Sequence, residues 1–128
     1  MMKTIIAGSR NITKEQTFKT IESCFWKNSI TTVISGTANG PDKHGEQWAK
    51  DHWIPIEKFP ADWNHYGKSA GMIRNKQMAK NADALIAVWD GISKGTFNMI
   101  EMALLEKLKI MICRPNSNWK IEYFFLSR

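Results

Sequence analysis

Ala84-Leu85-Ile86-Ala87-Val88-Trp89-Asp90-Gly91-Ile92-Ser93-Lys94-Gly95-Thr96 is an apolar run that breaks into a glycine-bearing polar turn and then into a helix-forming segment. A short apolar run bounded by turn residues reads as a strand buried on both faces. The same order of elements occurs twice more. Residues 4–7 lead into Gly8-Ser9-Arg10, and residues 32–34 lead into Ser35-Gly36-Thr37-Ala38-Asn39-Gly40. In a parallel α/β sheet such turns gather at the carboxyl ends of the strands, where ligands bind in the crevice at which strand order reverses. Small loops that open helix N-termini suit phosphate, because backbone N–H groups can approach it closely.

Working outward, residues 2–7 read as a first strand, and Thr13 with Gln16 forms a capping-box pattern for a helix to about Trp26. Residues 31–35 give a second strand, and Pro41 with Asp42 opens a helix to about His52. Residues 54–59 form a third strand that Pro55 pushes towards a sheet edge. A long polar and aromatic connection spans residues 60–72, of a length that is more often functional than filler. Helices are predicted over residues 71–81 and from Thr96 to Lys107, with strands at 84–89 and 110–113. Strands that alternate with helices give a Rossmann-like, three-layer α/β domain with a mostly parallel sheet of about five strands. That domain is expected over residues 1–115, with residues 116–128 an extension packed on it or on a second subunit.

The 128 residues fit one domain with its own core, and a hydrophobic share of 43% with 23% charged residues is that of an ordinary globular chain. Cys24 and Cys113 have no metal-like spacing and read as reduced packing residues, which points to the cytoplasm. His44, His52 and His65 show no ligand spacing either, so no metal and no cofactor are expected. No apolar run is long enough to span a membrane. The formal charge of +6 is uneven: residues 1–64 carry 8 basic and 7 acidic residues, residues 65–128 carry 10 and 5. A small-anion pocket needs only two or three inward cations, whereas a nucleic-acid surface needs many, interleaved with aromatics. With no helix-turn-helix and no RRM signature, the small-anion reading is preferred and nucleic acid is not expected as a partner.

The candidate ligand-binding residues follow from these turns. Gly8, Ser9 and Arg10 offer backbone N–H groups, a hydroxyl and a covering cation; alternatively they are only a tight turn with an exposed Arg. Ser35, Gly36, Thr37, Ala38, Gly40 and Asp42 form the second loop, which is neither a Walker A loop nor a GxGxxG fingerprint. Asp90, Gly91, Ser93, Gly95 and Thr96 form the third. Asp90 could accept from a ribose hydroxyl or simply form the turn, and Thr96 could cap its helix or reach a phosphate oxygen. Asp62, Trp63, Lys68, Arg74 and Asn75 come from the long connection and the helix after it. A cation at a helix start is disfavoured, so an anionic partner explains Arg74. Trp63 is as ready to stack on a base as to pack, while Trp89 on a central strand reads as core. No GxSxG elbow supports a serine nucleophile.

The segments Ile34-Ser35-Gly36-Thr37-Ala38-Asn39-Gly40-Pro41-Asp42, Phe59-Pro60-Ala61-Asp62-Trp63, Gly67-Lys68-Ser69-Ala70-Gly71, Arg74-Asn75 and Ala82-Asp83-Ala84-Leu85-Ile86-Ala87-Val88-Trp89-Asp90-Gly91 resemble the YspA/YpsA-related branch of the SLOG superfamily. This Rossmann-like group also contains the DprA-type DNA-uptake proteins and the LOG phosphoribohydrolases, and the branch occurs in bacteria and their phages. The resemblance covers most of residues 3–113 and implies a nucleotide site at the strand ends already identified. LOG enzymes cleave the N-glycosidic bond of a nucleoside monophosphate with a helical Arg and a Glu just after a Gly-Thr turn. Arg74 matches the first by position. The second departs: Gly95-Thr96 is followed by Phe97-Asn98-Met99-Ile100, and the first carboxylate is Glu101, displaced by more than half a turn.

Arg74, Asp90 and Glu101 are therefore the candidates for catalysis, with Asp62 a further carboxylate, and none is singled out. The first expectation is a module that binds a nucleotide or nucleotide-derived signal, as sensor or sequestering protein. The second is an N-glycosidase or phosphoribohydrolase, and the third a DNA-associated protein, for which no aromatic stacking platform is visible in the sequence. The superfamily and the apolar fourth helix point to a homodimer or higher homo-oligomer.

Overall fold

A computed structural model describes residues 2–125. Six strands form one sheet in the order β3-β2-β1-β4-β5-β6. They are β1 (Met2–Gly8), β2 (Ile30–Ser35), β3 (Ile56–Lys58), β4 (Ala84–Val88), β5 (Lys109–Arg114) and β6 (Lys120–Phe124). The first five are parallel and β6 runs antiparallel to β5. The helices are α1 (Lys14–Ser23), α2 (Pro41–Asp51), α3 (Trp63–Tyr66), α4 (Ala70–Lys80) and α5 (Lys94–Leu105).

The Rossmann-like α/β class expected from the sequence holds, with one strand more than the five anticipated. Residues 120–124 supply it: they lie in the segment set apart as an extension, of which residues 126–128 fall outside the described residues. The turn before β6 places Asn118 at φ 57 and Trp119 at φ 53. Tryptophan is rarely found at positive φ, so nothing in the sequence announces this turn.

Strand alternation sorts the core into two layers. Ile5, Ala7, Leu85, Ala87, Ile110 and Ile112 pack with Met78 of α4 and Met99 of α5. Ile6, Ile86, Val88 and Met111 pack on the other face with Ile21 of α1 and Trp48 of α2. Both faces of β4 are covered, so all five of its residues are buried.

Element boundaries shift where side chains decide them. The Thr13–Gln16 capping box forms, with Thr13 Oγ1 accepting from the Gln16 N–H at 3.1 Å. The first helix stops at Ser23 rather than near Trp26. Cys24 is already extended, and Trp26 turns inward to donate from Nε1 to Thr4 Oγ1 at 3.3 Å. The long connection is also more regular than expected. Asp62 caps α3 by accepting from the His65 N–H, and a 3-10 turn over Gly67–Ser69 leads directly into α4. The last helix begins at Lys94, so Ser93 is its N-cap and Thr96 lies inside its first turn.

Candidate functional site

Strand order reverses between β1 and β4, since the chain builds outward to β3 on one side and to β5 on the other. A cavity of about 560 Å³ opens at this place on the carboxyl edge, on the side of α4 and α5. That volume lies within the range of small-molecule sites. Ala7, Gly8 and Arg10 at the end of β1 and Ala38, Asn39 and Asp42 after β2 form one wall. Trp63, Lys68, Gly71, Met72, Arg74, Asn75 and Met78 form the second. Ser93, Lys94, Gly95, Thr96, Phe97, Asn98, Met99 and Glu101 of the α5 start complete it.

Asp42 and Arg74 meet around Gly36. A side chain there would stand 2.7 Å from both Arg74 Nη1 and Asp42 Oδ2. Arg74 Nη1 donates to the Gly36 carbonyl and its Nε to Asn75 Oδ1 at 2.9 Å. Asp42 is 5% exposed and its Oδ2 accepts from the Ala38 N–H at 3.2 Å. Burial pushes the Asp42 carboxyl up to about 6, against the pull of the Ala38 N–H and the Arg74 charge, with Glu46 adding to the rise. Burial likewise lowers the Arg74 guanidinium, and the Asp42 charge opposes that shift.

The folded pKa of Asp42 lies above the unfolded value, so the folded state holds the proton more tightly. The stabilisation is complete below about pH 4 and is lost as pH rises through about 6. A shift of about two pK units corresponds to roughly 3 kcal/mol. Urea unfolding of the wild type should therefore show stability falling between about pH 4 and pH 6, and Asp42→Asn should flatten that dependence. A slope unchanged in the variant would assign it to another group.

The second loop is pinned from beneath. Ser35 Oγ donates to Glu46 Oε2 at 2.7 Å and accepts from the Thr37 N–H at 3.0 Å. Ser35 and Glu46 are both buried, Thr37 sits at φ 64, and Gly40 at φ 90 packs against the Arg10 backbone. These residues shape the wall; among them only Ala38 and Asp42 of the predicted set line the cavity.

In the third loop Asp90 is the turn-former. Its Oδ1 accepts from the Ile92 and Ser93 N–H groups, both at 2.8 Å. Burial raises this carboxyl, but the bonds from Ser93 and Ile92 together with Ser9 outweigh it and hold Asp90 below the ordinary range. Ser9 is buried; its N–H donates to the Val88 carbonyl and its Oγ accepts from the Asp90 N–H, which ties the β1 turn to the β4 turn. Ser93 Oγ accepts from the Thr96 N–H at 3.5 Å and from the Thr96 hydroxyl at 3.3 Å. Gly91 lies against the Arg114 guanidinium, and Trp89 is half-buried with its Nε1 bonded to the Ser93 carbonyl.

Of the predicted residues, the cavity thus gathers Gly8, Arg10, Ala38, Asp42, Trp63, Lys68, Arg74, Asn75, Ser93, Gly95, Thr96 and Glu101. Ser9, Ser35, Gly36, Thr37, Gly40, Asp62, Asp90 and Gly91 do not line it. Asn98, Lys94, Asn39, Phe97 and the methionines were not singled out. The missed signal was helical spacing: Gly71, Arg74, Asn75 and Met78 fall on one face of α4, and Lys94, Asn98 and Glu101 on the facing side of α5. Asn75 Nδ2 crosses the groove to donate to Asn98 Oδ1 at 2.9 Å.

Trp63 stands at the rim, 58% exposed, with its ring edge against Gly71. Among the described residues, no group of three or more His, Cys, Asp or Glu side chains is placed to hold a metal ion, and no helix is long and apolar enough to cross a membrane.

Known proteins sharpen this picture. The model of a family described as "YspA, cpYpsA-related SLOG family" matches residues 2–66. The "Gene 61 protein" of Mycobacterium phage D29 is 36% identical over 70 residues, which cover 50% of this chain and 56% of that protein. The chain therefore spans about half the length of that relative. No solved structure matches the chain.

Proposed function

The chain belongs to the YspA, cpYpsA-related SLOG family, and from that premise we propose that it binds a nucleotide or nucleotide-derived ligand in the cavity between α4 and α5. The observation that carries the reading is charge without partners. Arg10, Lys68 and Lys94 line the cavity, and among the described residues none of them makes an ion pair. Cations that converge on one concave site suit an anionic ligand, and the apolar lining with Trp63 at the rim suits a base. The chain acts, in this reading, as a sensor or sequestering protein.

Mass spectrometry of gently purified protein, together with melting in the presence of AMP, cyclic AMP, ADP-ribose and their guanine counterparts, tests it. One species at 100 times its Kd should add about 2.7 kcal/mol and raise Tm by several degrees, without being consumed. A protein that carries nothing from the cell and melts unchanged with every member of the panel would sink the reading.

A second reading is favoured by one observation. Asp42 gives the cavity a buried carboxyl poised near neutral pH beside Arg74, as general acid–base chemistry needs. An N-glycosidase would use it to protonate the departing base as the C1′–N bond breaks, and to take a proton from the water that adds to C1′. Free base released from a nucleoside monophosphate, and lost in Asp42→Asn, would establish turnover; intact nucleotide after long incubation would exclude it.

A further inference from the structure

Along the outer strand β6 the fold assembles a surface that the cavity does not use. Phe25, on the connection after α1, is 61% exposed, and its ring centroid lies 5.2 Å from those of both Tyr123 and Phe125. Tyr123 and Phe125 are stacked at an interplanar angle of 9°, and the Tyr123 hydroxyl donates to the Ser23 carbonyl, which fixes this face of β6 towards α1. Lys109 Nζ stands 6.0 Å from both phenylalanine ring centroids. Further along the same face, Lys19 Nζ sits 4.2 Å over the Trp119 ring. Phe125 lies six positions beyond Trp119 along nearly extended chain, a reach of roughly 20 Å.

We infer that this aromatic and basic face binds a single-stranded polynucleotide. Exposed rings offer stacking surface to any base, and flanking cations meet the phosphates. Among the described residues Lys19 and Lys109 make no ion pair. The nearby acids point elsewhere: Glu22 is engaged by Lys27 and the Trp48 Nε1, and Glu122 pairs with Lys120. A second copy of the chain is the poorer occupant, because a two-fold interface would bring the same lysines of both copies together. The sequence set nucleic acid aside because it has no helix-turn-helix and no RRM signature, and it showed no stacking platform. Its members are about a hundred residues apart in the chain, and only the pairing of β6 with β5 brings them together.

Fluorescence anisotropy of a 5′-labelled dT20 oligonucleotide with the whole protein tests the inference. Binding is expected at 50 mM salt and should weaken roughly tenfold by 200 mM, as two to three phosphate contacts require. The double variant Phe25→Ser, Phe125→Ser should lose at least tenfold in affinity while keeping its circular dichroism, since both side chains are exposed. Lys109→Gln should lower the salt slope, and Trp53→Ser, an exposed aromatic elsewhere, should change nothing. Absence of binding at 50 mM salt, or affinity unchanged in the double variant, overturns the proposal. So does a concentration-dependent dimer in light scattering that the double variant dissolves. Nucleotide binding in the cavity should be untouched by these substitutions, so the two readings fail separately.

Discussion

Gly8→Ala is expected to cost the protein about 3 kcal/mol or more, a large share of the roughly 5–15 kcal/mol by which a domain of this size is stable. A Cβ on Gly8 would stand 2.1 Å from the Val88 carbonyl oxygen and 2.7 Å from Pro41 Cγ. The carbonyl is backbone of the neighbouring central strand and already accepts the Ser9 N–H, so it has no direction in which to give. Forced overpacking commonly costs 1–3 kcal/mol, and a clash against backbone falls at or beyond the top of that range. Gly95→Ala is the control. Nothing lies within 4 Å of its added methyl, and it sits in the first turn of a helix, where alanine is favoured over glycine by about 0.5–1 kcal/mol. Urea unfolding of the two variants should therefore move in opposite directions. A Gly8→Ala midpoint equal to wild type would mean that β1 and β4 can separate at that point.

Arg74→Ala should weaken the proposed nucleotide binding and also the fold. Charge-assisted hydrogen bonds contribute about 1.5–3 kcal/mol, so nucleotide affinity is expected to fall roughly 10- to 100-fold. The loss in stability has a different origin. Without the guanidinium, the Gly36 carbonyl loses its donor and the Asp42 carboxyl loses the cation that favours its charged form, so that it must take up a proton or stay buried and uncompensated, at about 2–3 kcal/mol. The Asp42→Asn substitution should restore part of that stability in the double variant but none of the affinity. A double-mutant cycle read by urea unfolding and by calorimetry separates the two effects. If the stabilities simply add, Arg74 and Asp42 do not interact and Arg74 serves the ligand alone.

The fold was legible where one local signal was enough. The apolar run at Ala84–Val88, the Thr13–Gln16 box and Pro41 at a helix start each state their role within a few residues. The site was legible only in outline. Ser9 and Asp90 read as ligand groups because a sequence shows a hydroxyl and a carboxylate beside glycines; it does not show that they are joined across 81 positions. Asp62 is spent capping α3, and Ser35 supports its loop from below. Asn98 escaped notice for the converse reason: it is an ordinary polar residue on a helix until Asn75 is placed across from it. Strand β6 was hidden by a turn built on Asn118 and Trp119 at positive φ, with no glycine to mark it.

The position of β1 between β2 and β4 also sets an order in time. Its pairing with β2 closes a loop of about 28 residues, whereas its pairing with β4 waits for residues about 80 further along. Loop closure over longer separations is entropically costlier and slower. On a ribosome, the half of the chain that carries the family's signature emerges first, with β1, β2 and β3 and helices α1, α2 and α3 but neither α4 nor α5. Residues 93–101, the last wall, arrive only after β4 has docked. The cavity is thus among the last features of the molecule to form, and a nascent chain that stops short of residue 93 lacks its third wall.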